Sequence, residues 1–294
     1  MKIQDTSATG IQRRIGVLLI IISAASFGTL PIFTRLAYRA GAEPVTLLAL
    51  RFALASIVMV AIIAARKIPF PRGRTLLGLV LMGAIGYVGQ SLAYFTALTM
   101  ASAALVALLL YLYPALVTLL SAIFLKEHLT PAKISALALA LVGTALTVEP
   151  TGSGRLLGVI LAIASAVIYS IYILAGSRIT AHTNAIGSST TIMLSAAAVY
   201  VGIVAFRGPI FPRASYGWIT IVAIALVSTV LPIVTFFAGL ERLGPTRAST
   251  LSTFEPIVSV VLAALVLGET ISPLQVLGGA LILAAVIICS LTES

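Results

Sequence analysis

The stretch FEPIVSVVLAALVLGETISPLQVLGGALILAA, from Phe254 to Ala285, holds a glutamate and a proline (Glu255, Pro256), an apolar run to Leu267, a GETISP turn and a second apolar run. The same order occurs earlier as YPALVTLLSAIFLKEHLTPAKISALALALVGTA, from Tyr113 to Ala145. Pro256 and Pro114, Glu269 and Glu127, and Pro273 and Pro131 are each 142 positions apart, so the copies align without a gap. The offset also pairs Gly16 with Gly158, Ser23 with Ser165, Phe27 with Tyr169, Tyr94 with Phe236 and Leu98 with Leu240. A repeat of this length decides the architecture. The expected units are residues 1–149 and 150–294, together forming one domain.

Of 294 residues, 60% are hydrophobic and only 9% charged, and the mean hydropathy is +1.17. A water-soluble fold needs far more polar surface, so the solvent is lipid. The net charge of +10 does not point to nucleic acid, because Lys and Arg sit between apolar runs and form no patch. The single cysteine, Cys289, lies in an apolar run and allows no internal disulfide.

Apolar runs long enough to cross about 30 Å of hydrocarbon lie near residues 15–37, 44–65, 75–98, 101–125 and 132–149. The second copy repeats them near 155–177, 186–206, 215–239, 246–268 and 273–291. These are spans 1 to 10, five per unit. Five is odd, so the second unit enters the membrane from the opposite side and the repeats are inverted. The fold class that follows is an all-α integral membrane protein of ten transmembrane helices.

With the N-terminus inside, twelve basic residues fall on the cytoplasmic side, among them Lys2, Arg13, Arg14, Arg66, Lys126 and Arg178. Five fall outside: Arg35, Arg39, Arg155, Arg207 and Arg213. This asymmetry places both termini in the cytoplasm. The run after Arg13 and Arg14 is read as span 1 rather than a cleaved leader, since it carries the match to span 6. Thr130-Pro131 and Ser272-Pro273 set a capping hydroxyl before a proline, and Gln275 completes a capping box with Ser272.

Enzyme chemistry finds no foothold, and no cofactor or metal is expected. No lysine stands in a Walker loop. The only aspartate is Asp5, which excludes paired aspartates for magnesium diphosphate, and His128 and His182 are too isolated for a metal site.

The polar inventory lies inside the spans. Tyr87, Gln90, Ser91 and Tyr94 share one face of span 3, by helical spacing. Ser23, Ser26, Phe27, Leu30 and Thr34 do so on span 1, and Ser165, Tyr169, Tyr172 and Gly176 on span 6. Span 8 offers Thr229, Pro232 and Phe236, and span 9 offers Ser252, Glu255 and Ser259. Such residues also serve helix packing, but Tyr87, Gln90, Tyr113 and Tyr169 fall well inside their spans. The set therefore lines a central cavity among spans 1–4 and 6–9, with spans 5 and 10 outside. Small residues on those two, such as Ala136, Ala140, Thr144, Ala280 and Ala284, permit a homodimer contact.

Two ionisable residues lie within spans. Glu255, near the middle of span 9, suits a proton site or a carboxylate that meets a substrate ammonium; otherwise it bonds carbonyls that Pro256 leaves free. Its repeat partner is Tyr113. Arg51, whose partner is Met193, has three readings: snorkelling outward, binding carbonyls or reaching Glu255. Structural or gating roles are expected of Arg51 and of Pro31, Pro114, Pro232 and Pro256.

The stretches ALRFALA around Arg51 and FEPIVSVVLAALVLGETISPLQVLGGALILAAVII from Phe254 resemble the signature of the ten-span EamA family of the drug/metabolite transporter superfamily, over essentially the whole chain. The resemblance implies two inverted five-helix repeats around a central cavity and export of amino acids, aromatic ones included, or other small metabolites across a bacterial inner membrane. The small four-helix multidrug relatives keep a glutamate in their first helix; spans 1 and 6 here have no carboxylate, so that proton site is not implied. The expected substrate-binding residues are Phe27, Tyr87, Gln90, Tyr94, Tyr113, Tyr169, Tyr172, Thr229, Ser252 and Glu255. The expected partners are a small-molecule substrate and the lipid bilayer. Efflux of lipophilic cations, and a channel-like or scaffold protein, are the alternatives.

Overall fold

The computed structural model describes residues 5–124, 130–147, 156–179 and 183–292. Lys2, Lys126, Glu127, His128, Arg155 and His182 lie outside the described residues, as do the side chains of Asp5, Arg178 and Cys289. The described residues form helices and no strand. Seven helices are long and apolar enough to cross a membrane: Ile11–Arg39, Pro44–Arg66, Gly73–Met100, Ala103–Phe124, Leu156–Ser177, Ala185–Arg207 and Ser215–Leu243. Three shorter apolar helices, Pro131–Thr147, Phe254–Leu267 and Pro273–Ile288, supply the remaining spans 5, 9 and 10.

The inversion is visible in side-by-side contacts. Arg207, at the end of span 7, pairs with Glu43, just before span 2, so these packed counterparts run antiparallel. Ser23 Oγ donates to Pro232 O at 2.8 Å, and 142 positions on Ser165 Oγ donates to Gln90 O at 3.2 Å. One interhelical hydrogen bond is thus made twice, between spans 1 and 8 and between spans 6 and 3.

Spans 5 and 10 pack on each other. Gly143 and Gly278 let their backbones touch: a Cβ on either would stand 2.4–2.6 Å from the other's carbonyl oxygen. Ala136 and Ala140, read above as part of a dimer edge, are buried inside the chain with Ala115, Ala166 and Ala285. The Ser272 capping box closes at the start of span 10, with Gln275 N to Ser272 Oγ at 3.1 Å and Ser272 N to Gln275 Oε1 at 3.3 Å.

Five spans are irregular midway. Span 1 turns at Thr29, span 4 at Tyr111 and Leu112, and span 9 at Thr253, each two or three residues before a proline (Pro31, Pro114, Pro256). Proline has no N–H for the carbonyl four residues back, so the ladder opens there. Spans 3 and 8 carry π-turns at Met82–Tyr87 and Leu226–Val230, which overlap under the 142 offset; such turns recur at functional sites.

Candidate functional site

The irregular segments surround a central void. Its larger chamber, about 280 Å³, is lined by Ser23, Ala24, Phe27, Tyr87, Tyr111, Tyr113, Tyr169, Tyr172, Ser189, Ile192, Met193, Ile233, Phe236, Phe237, Ser252 and Glu255. A smaller chamber of about 110 Å³ lies towards the Glu43 end and adds Leu30, Arg51, Gln90, Ser91, Tyr94, Phe95 and Leu110. Phe27, Tyr87, Tyr111, Tyr113, Tyr169 and Glu255 line both. The walls come from spans 1–4 and 6–9.

Nine of the ten expected binding residues line the two chambers. Thr229 stands behind the wall: it is fully buried, its Oγ1 donates to Ile224 O at 2.8 Å and accepts from Arg51 Nε at 2.9 Å. Among the described residues Arg51 neither snorkels nor binds a carbonyl. It is 3% exposed, with its guanidinium carbon 4.9 and 5.2 Å from the Phe52 and Phe95 ring centroids, and it lines the smaller chamber.

Sequence reasoning missed Tyr111, two residues before Tyr113 and off its helical face. The turn at Tyr111 and Leu112 brings both rings into the wall, 5.8 Å apart. Pro114 is the signal that would have found it. Tyr111 Oη donates to Ser252 O at 3.3 Å, the carbonyl that Pro256, lacking an N–H, cannot reach. A hydroxyl from the break in span 4 thus stands at the break in span 9, shared between Ser252 O and the Glu255 carboxyl.

Aromatic contacts run on from Tyr113 to Tyr169, Tyr172, Tyr87, Phe52 and Tyr200, with ring centroids 4.8 to 5.9 Å apart. Span 1 meets span 9 closely at Gly28, where a Cβ would lie 2.8 Å from Glu255 O, and Ser259 Oγ donates to Gly28 O at 3.0 Å. These contacts fix the height of Glu255 in the void. The described residues hold no cluster of His, Cys, Asp or Glu able to bind a metal. A mostly aromatic concavity with a few convergent polar groups is built to bind a small molecule.

The two ends of the void differ. At the Glu43 end, Arg35 Nη1 donates to Leu98 O (2.8 Å), Tyr38 Oη to Phe95 O (2.8 Å) and Arg39 Nη2 to Leu267 O (3.2 Å). Glu269 accepts from Ala103 N (2.8 Å) and Ala104 N (3.1 Å). Ala103–Leu110, the first half of span 4, packs on Phe254–Leu267 and on Leu30–Arg39. Its repeat counterpart, Pro245–Ser252, packs on spans 1, 8 and 10, with no comparable packing on spans 4 and 6 among the described residues. Among the described residues, these contacts close the void at the Glu43 end and no matching set crosses the Arg66 end.

At the closed end, burial pushes the Glu43 carboxyl up, but hydrogen bonds from the Thr46 and Val45 amides and the Arg207 guanidinium outweigh it and hold the group below the ordinary carboxylate value. A depressed folded-state value means a contribution present above the unfolded value, near 4.3 on a roughly one-unit scale, and lost as pH falls through the folded one. The thermal-stability gap between wild type and Glu43→Gln is therefore expected to stay constant from about pH 5 to 8 and to shrink below about pH 4. A gap that grows on acidification would contradict this.

The EamA-like transporter family model matches residues 14–149 and 156–291. The chain is 38% identical over 138 residues to the threonine/homoserine exporter RhtA of Escherichia coli (strain K12), covering 44% of each chain. It is 28% identical over 225 residues to the aromatic amino acid exporter YddG of Ancylobacter novellus, covering 74% of this chain and 78% of that one. A crystal structure superposes with TM-score 0.67 at 24% identity, over 94% of this chain and 96% of that chain, and shares the fold. Two matched repeats, spans that interlock as inverted copies and a void between them agree: the chain is a multi-pass membrane protein that belongs to the EamA-like transporter family.

Proposed function

We propose that this protein exports amino acids across the bacterial inner membrane by alternating access, with both termini cytoplasmic. The observation that carries the reading is the asymmetry of two like halves. With that orientation the Arg66 end faces the cytoplasm, and the open void is the state in which an exporter loads. Exchanging the conformations of the two repeats would close the Arg66 end and open the Glu43 end.

The family supports a small-metabolite substrate, and the exporters named above support amino acids. The size of the void agrees: about 280 Å³ lies just below the roughly 300–1,000 Å³ range of small-molecule sites, which suits a metabolite better than a bulky drug. Tyr87, Tyr94, Tyr113, Tyr169 and Tyr172 supply apolar and cation–π surface, and Gln90 and Glu255 orient the polar end. A lone carboxylate among aromatic rings also favours lipophilic cations, the second reading.

The test is efflux from proteoliposomes loaded with mixed amino acids, nucleobases and a lipophilic cation. Saturable release of amino acids, with counterflow, is the expected result. Release of the cation alone would establish the second reading, and non-saturating release would make the protein a channel.

A further inference from the structure

The smaller chamber carries one charged group of each sign. Arg51 and Glu255 both line it, yet among the described residues neither takes part in an ion pair, with each other or with any other group. Arg51 is held by its Nε on Thr229, by a hydrogen bond with Tyr87 and by the rings of Phe52 and Phe95, and Glu255 by a hydrogen bond with Tyr111, so both have neutral partners and neither has a counter-charge. Its Nη edge, the fork that pairs carboxylates, has no carboxylate of the protein's own.

Two opposite ionisable groups that face one buried chamber without a counter-charge are unfavourable in a membrane protein, and a ligand that supplies the opposite charges completes such a site. The repeat sharpens this. At the positions 142 away stand Met193 and Tyr113, so each unit contributes one charge, and neither charge is needed to build its helix. A polar ligand with distinct ends explains such an unequal pair; helix packing does not.

We propose that Arg51 and Glu255 hold the two ends of a zwitterion, the ligand's carboxylate on Arg51 and its ammonium on Glu255, with its side chain in the larger, tyrosine-walled chamber. Resting on the transport reading, this narrows the substrate to α-amino acids with both groups free. The headgroup chamber of about 110 Å³ serves the part all such ligands share. The wider chamber receives the part in which they differ.

Thermal stabilisation of the purified protein tests this with ligands that share one side chain. The probes are L-phenylalanine, phenethylamine and 3-phenylpropanoate, and, for a small polar side chain, L-threonine, 1-amino-2-propanol and 3-hydroxybutanoate. Wild type is expected to bind at least one amino acid about tenfold or more tighter than either analogue lacking a charge. In Arg51→Gln the preference over the amine should collapse while that over the acid survives; in Glu255→Gln the reverse. Each preference is a ratio within one preparation, so partial misfolding of a variant does not mimic the result.

Equal binding of amine and amino acid by wild type, binding of neither amino acid, or variants that keep both preferences would overturn the pairing. Zwitterion binding without efflux would sink the transport reading and leave the pairing standing. Efflux without discrimination would do the opposite.

Discussion

Glu255→Gln is expected to reduce amino-acid efflux at limiting substrate by roughly 10- to 100-fold, with little change in folded yield. The carboxylate lines both chambers, and the substitution keeps its shape while removing the charge. A hydrogen bond to a charged group contributes about 1.5–3 kcal/mol, and about 1.4 kcal/mol corresponds to tenfold in affinity. Initial rates per reconstituted protein decide it. Tyr111→Phe is the informative comparison. It keeps the carboxyl group and removes the hydroxyl that bonds Ser252 O and Glu255, so it should lower stability by about 1 kcal/mol with a smaller effect on rate than loss of the carboxylate. Wild-type efflux from Glu255→Gln would remove the carboxylate from the mechanism.

The repeat, the span count and the inversion were legible because each rests on local order: a fixed offset, apolar runs and an odd number of crossings. Tyr87, Gln90, Tyr94 and Tyr169 were legible because helical periodicity groups them on one face. Tyr111 was not, since its direction depends on a turn that Pro114 permits but does not specify in detail. Thr229 was misplaced for a related reason. The π-turn at Leu226–Val230 shifts the face of span 8, and the hydroxyl then meets Arg51 rather than the void. Ala136 and Ala140 announce close helix packing whatever the partner, so periodicity could not tell span 10 from a second copy. The difference between the two ends lay furthest from the sequence, because it turns on single departures from the shared pattern, such as Ala103 against Pro245, and a conformation is a choice between nearly equivalent packings.

Glu269→Gln is expected to open the closed end. The Glu269 carboxylate accepts from Ala103 N and Ala104 N, two of the N–H groups that a helix start leaves without partners, and its charge suits the positive end of that helix. It thereby ties the turn after span 9 to the start of span 4. The counterpart of Ala103 in the second repeat is Pro245, which has no N–H, so the opposite end cannot form the same double bond when it closes. That difference biases the protein towards closure at the Glu43 end. Glutamine keeps one acceptor and loses the charge, a change of about 2 kcal/mol, which moves the ratio of the two conformations by roughly 30-fold. The readout is a cysteine at Leu30, in the smaller chamber behind the closure, in a Cys289→Ser background, with an impermeant maleimide supplied only on the Glu43 side. Labelling should accelerate at least about tenfold in Glu269→Gln. A cysteine at Ser189, on the larger chamber's wall, should react more slowly with reagent from the Arg66 side, because one equilibrium governs both ends. Acceleration at Leu30 without slowing at Ser189 would mean local fraying around span 4 rather than exchange between the two states, and no change at either position would mean that the Glu269 cap takes no part in closure.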